Sequence, residues 1–128
     1  MGLEILVVDD SSVMRKMIIR TLKMSGVSIG KIYEAGNGKE GLDVLDQNWI
    51  DLLFIDVNMP VMDGMEMLEK VRNQPDTRDL PVLIISTESN QQRIKMINEN
   101  RAGFVHKPFT PEKLREKIIE TTGFVKSV

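Results

Sequence analysis

The sequence predicts an α/β domain, a doubly wound five-stranded parallel sheet built as (βα)5, and three observations predict it. Short apolar runs at residues 5–8, 52–55, 82–85 and 103–105, with a weaker one at 31–35, are bounded by turn-forming residues and read as strands. Stretches with the 3.6-residue period of an amphipathic helix fall between these runs and after the last. In chain order the first, third and fourth runs are apolar at successive positions, the pattern of strands covered by helices on both faces.

Each element has its own warrant. After the first strand, Val13, Met14, Met17, Ile18 and Leu22 mark a helix that Ser11 or Ser12 can cap and Gly26 can end. Leu42 and Leu45 mark the second helix; Met65, Leu68 and Val71 the third; Ile94 and Ile97 the fourth. The last helix carries Leu114 and Ile118, and Thr110 before Pro111 places a hydroxyl cap ahead of a proline at the first helical position. Right-handed crossovers then put any ligand at the carboxyl ends of the strands.

A chain of 128 residues fits one domain, 1–128, and the six residues after the last helix, 123–128, leave no room for an output domain. With no cysteine there is no disulfide, thiolate metal site or cysteine nucleophile. A formal net charge of −2, with lysines and arginines scattered along helices, argues against nucleic-acid binding. No apolar run approaches the roughly 20 residues that span a bilayer, and no basic segment precedes the first run, so a cytoplasmic location is expected. The chain is also expected to act as a monomer.

The residues at the strand ends carry the chemistry: Asp9 and Asp10 after the first strand, Asp56 ending the third, Ser86, Thr87 and Glu88 at the fourth, Lys107 and Pro108 at the fifth. Three carboxylates within about 4 Å repel by several kcal/mol, so a cation is expected among them. Hard oxygen donors with positions left for water and phosphate suit magnesium better than zinc.

These residues resemble the response-regulator receiver family: Val7, Val8, Asp9, Asp10 and Ser11; Ile55 to Pro60 with Asp63 and Gly64; Ser86; and Lys107, Pro108 and Phe109. The resemblance covers essentially the whole chain. It implies a flavodoxin-like strand order of 2-1-3-4-5 and a stand-alone regulator that signals instead of turning over a substrate. Asp56 is then the phosphoryl acceptor; Asp10, Asp56 and the Asn58 backbone carbonyl bind magnesium, with manganese as a substitute, and Asp9 does so directly or through water. Lys107 and Ser86 contact the phosphoryl oxygens, and the Lys107–Pro108 bond is cis. Phe104 is the implied switch residue on an output face that includes Ile94 and Lys117, while Asn58, Thr87 and Glu88 modulate the lifetime of the phosphorylated state. The implied partners are a sensor histidine kinase, a flagellar switch protein or other downstream protein, and a phosphatase.

Rival readings are a phosphorelay intermediate serving a histidine phosphotransfer protein, an aspartyl phosphatase and a flavin module. The phosphatase needs an acid where Asn58 stands, and Asp9 with Asp10 would repel a flavin phosphate. His106 is kept off the site, the methionines are read as gap fillers, and Trp49 is expected to pack over the start of the third strand.

Overall fold

The computed structural model describes residues 2–56, 63–86 and 91–123, with side-chain burial omitted for Ser86, Gln91 and Arg93. Strands and helices alternate: β1 (Leu3–Val8), α1 (Ser12–Met24), β2 (Ile29–Ala35), α2 (Gly38–Gln47), β3 (Leu52–Asp56), α3 (Gly64–Asn73), β4 (Val82–Ser86), α4 (Gln91–Glu99), β5 (Gly103–His106) and α5 (Pro111–Thr122). The strands form one parallel sheet in the order β2-β1-β3-β4-β5, as expected.

Alternating side chains of the strands feed two cores. Leu6, Val8, Leu53, Ile55, Val82 and Ile84 meet α2, α3 and α4 on one face, and Ile5, Val7, Leu52, Phe54, Leu83 and Ile85 meet α1 and α5 on the other. Both faces of the three central strands are therefore dry, which is why their sequences show no polar alternation. Gly103 permits the close approach of α5, because a Cβ there would lie 2.6 Å from Leu83 Cδ2 and 2.8 Å from Thr121 Oγ1.

The helix starts follow the sequence signals. Ser11, Asn37, Asp63 and Thr110 each accept from a backbone N–H three residues on, supplying partners to donors that the helix itself leaves unused. Pro111 follows Thr110 at the first position of α5. The end of α1 is as expected: Ser25 is the C-cap, and Gly26, at φ 85°, takes the left-handed turn just beyond it that ends the helix.

Other expectations need correction. Ile18 and Leu22 carry the buried stripe of α1, whereas Val13 and Met17 face solvent. Met67 fills core space between α2 and β1, but Met17, Met24 and Met96 are exposed and fill no gap. Trp49 covers nothing at the start of β3: it is 78% exposed, and its indole N–H donates to Asp51 Oδ1 at 2.7 Å.

Candidate functional site

Register brings the acidic residues together. Val8 of β1 pairs with Ile55 of β3, so the next residues, Asp9 and Asp56, leave the sheet side by side. Asp10 follows Asp9 into the turn before α1, and carboxylate oxygens of Asp9, Asp10 and Asp56 lie within 4.8 Å of one another. Lys107 follows β5, two strands from β3, and its long stem carries Nζ to 3.9 Å from Asp56 Oδ1. The Lys107–Pro108 peptide bond is cis, as expected.

Asp9 is the most constrained member of the cluster and is almost fully buried. Its backbone N–H donates to the Ala35 carbonyl at 3.1 Å, and its Oδ1 accepts from the Ser11 N–H at 2.9 Å. Its Oδ2 is buried with no hydrogen-bond partner among the described residues. Burial pushes the Asp9 carboxyl from 3.8 up to about 6. The Ser11 N–H opposes that rise, the Asp56 charge adds to it, Lys107 opposes it, and the neighbouring Asp10 side chain adds again.

A carboxylate oxygen buried without a donor is costly unless something positive meets it. Each pair of carboxylates at this spacing repels by roughly 3–4 kcal/mol at an effective dielectric near 20. Among the described residues, Lys107 offsets one of the three charges. The donor set, all oxygen and with an excess of two negative charges, fits a hard divalent cation such as magnesium.

A family profile described as "Response regulator receiver domain" matches residues 5–119. The chain belongs to the response-regulator receiver family. This receiver is 38% identical over 125 residues to a chemotaxis protein CheY homolog of Campylobacter jejuni, covering 94% of this chain and 93% of that protein. It is equally identical to chemotaxis protein CheY1 of Helicobacter pylori, over 94% of this chain and 98% of that one. Its fold matches a solved structure of chemotaxis protein CheY4 of Vibrio cholerae with a TM-score of 0.83 at 32% identity, covering 94% of this chain and 99% of that chain.

Within the receiver, the structure brings Asp9, Asp10, Asp56 and Lys107 into one pocket. Ser86 is the last residue of β4, beside the end of β3, and the expected roles of Asn58, Thr87 and Glu88 fall outside the described residues. Phe104 is half-buried on β5, on the face covered by α4, and its ring meets that of His106 in a T-shaped arrangement with 6.0 Å between centroids. Ile94 on α4 and Lys117 on α5 are half-buried, and Lys117 lies 3.9 Å from Glu120. Both helices pack against β5, which is an edge strand, so this surface flanks the open side of the sheet. No helix among the described residues is long and apolar enough to cross a membrane.

Sequence reasoning missed Arg15. It lies in α1, its guanidinium Nη1 donates to the Asp9 carbonyl, and its Nε donates to Glu34 Oε1 at 3.0 Å. Its place one turn past the helix cap was visible, but the inward turn of its side chain was not.

Proposed function

We propose that this receiver takes a phosphoryl group on Asp56 from a phosphohistidine of a sensor histidine kinase and signals through its α4–β5–α5 surface. The supporting observation is the pocket itself: among the described residues, three carboxylates within 4.8 Å, one of them with a buried oxygen lacking a hydrogen-bond partner, beside the Lys107 ammonium. Such a cluster is unfavourable for folding alone, so its arrangement suits a bound cation and a transferring phosphoryl group.

An Asp56 carboxylate oxygen attacks phosphorus as the bond from phosphorus to the donor nitrogen breaks, and the departing imidazole keeps the electron pair and takes up a proton. Lys107, paired with Asp56 beforehand, follows the negative charge onto a phosphoryl oxygen. Asp9 and Asp10, with Asp56 and the Asn58 carbonyl, hold magnesium, or manganese in its place. When bound, that ion supplies charge neutralisation on the phosphoryl oxygens. Later attack by water on phosphorus returns Asp56 and inorganic phosphate, so the protein promotes both its phosphorylation and its own reset. Thr87, Glu88 and Asn58 set the access of that water.

Phosphorylation adds charge and acceptor oxygens next to the end of β4, drawing the Ser86 hydroxyl inward. The space vacated lets Phe104 turn into the fold, and the surface formed with Ile94 and Lys117 changes for its partner. The naming of the Campylobacter and Helicobacter relatives as chemotaxis proteins supports a flagellar switch component as that partner.

The direct test offers acetyl phosphate and magnesium to the purified protein and follows intact mass. A phosphoryl adduct labile to base and hydroxylamine is expected in the wild type and absent in Asp56→Asn; the same adduct in both proteins would refute Asp56 as acceptor. Capture of a partner with and without beryllofluoride then separates a flagellar component from a histidine phosphotransfer protein.

A further inference from the structure

Asp9 and Asp10 are consecutive residues, so the directions of their carboxylates depend on the peptide plane that joins them. That plane contains the Asp9 carbonyl, and turning it changes ψ of Asp9 and φ of Asp10 together. The carbonyl accepts from Arg15 Nη1. Arg15 is itself fixed at two points: its backbone N–H donates to the Ser11 carbonyl at 2.9 Å, and its Nε donates to Glu34 at 3.0 Å. Glu34 lies on β2, beside Val7 of β1, so the brace runs from the edge strand through the first turn of α1 to the acidic turn.

We propose that Arg15 is a positioning residue for the acidic pocket: braced by Glu34, its guanidinium holds the Asp9 carbonyl and so aims the Asp9 and Asp10 carboxylates at a shared cation. With the Asp9 N–H tied to Ala35 and Oδ1 tied to Ser11, the Arg15 contact is the third restraint, and it leaves Oδ2, which has no hydrogen-bond partner among the described residues, available to a cation. The inference rests on reading the pocket as a magnesium site.

Electrostatics and positioning make opposite predictions here. Removing a positive side chain near an acidic pocket strengthens attraction for a cation, whereas removing an outer support of a ligand weakens metal binding on the order of 10-fold. Calorimetric titration of magnesium into wild type, Arg15→Gln and Arg15→Lys decides between them. Thermal melts of the metal-free proteins in EDTA confirm that each variant is folded. Positioning predicts roughly 10-fold weaker binding for Arg15→Gln, and weaker binding for Arg15→Lys too, since one ammonium cannot reproduce the fork that spans Asp9 and Glu34. Affinity equal to or tighter than wild type in both variants overturns the proposal. A wild type that binds no magnesium, or an Asp10→Asn variant that binds as well as wild type, overturns instead the reading of the pocket on which it rests.

Discussion

Asp9 shows how one side chain ties function to stability. In the metal-free protein its pKa of about 6 exceeds the ordinary 3.8, so between these values the native state holds a proton that the unfolded chain has released. Native stability therefore falls as pH rises through that window and stays lower above it, by about 3 kcal/mol. Asp9→Asn in EDTA should thus be more stable than wild type at pH 7.5, with the gain shrinking toward pH 4, as followed by urea denaturation. A constant difference across that range would show that the Asp9 charge is not the cause. Saturating magnesium should reverse the order, because the substitution removes a ligand.

Among the elements, the end of α3 is held by a cation used for structure. Arg72 has no carboxylate within bonding distance among the described residues; its guanidinium donates to the carbonyls of Leu80 at 2.7 Å, Asn100 at 2.8 Å and Arg101 at 3.2 Å, among others. It thereby joins α3, the loop before β4 and the turn between α4 and β5. Burial lowers its pKa, with the nearby Arg101 charge adding to the effect, and the ordered carbonyls compensate for the lost water. Arg72→Ala strands several half-buried carbonyls and should cost about 3 kcal/mol in urea denaturation. Thr110→Ala, which loses one exposed cap, should cost about 1 kcal/mol. Equal losses would mean that the Arg72 fork is solvated and contributes little.

For the whole molecule, the acidic pocket and the proposed output surface are separate regions joined by β4 and β5. The proposed switch therefore predicts that Phe104→Ala keeps the acetyl phosphate adduct on Asp56 while reducing capture of the partner in beryllofluoride at least several-fold. Unchanged capture would leave Phe104 as packing for the α4 face alone. Magnesium at 100 times its dissociation constant should stabilise the native protein by about 2.7 kcal/mol, and chelation should remove that gain. A melting temperature indifferent to magnesium would count against the cation site.

The order of strands and helices, the caps at Ser11 and Thr110, and the placement of Asp9, Asp10, Asp56 and Lys107 after their strands were legible from the chain alone. Hydrophobic period and capping are local properties, written within a few residues of where they act. Trp49 was misread for the complementary reason: it stands between elements, where no periodicity says which way a side chain turns, and Asp51 keeps its indole at the surface. The inward turn of Arg15 and the fork of Arg72 were equally hidden, since their acceptors lie on other segments of the chain. The sequence by itself determined the elements and the inventory of charged groups at their ends. Only the tertiary structure decided which of those groups meet, because strand register and helix packing set distances between residues that share no local pattern.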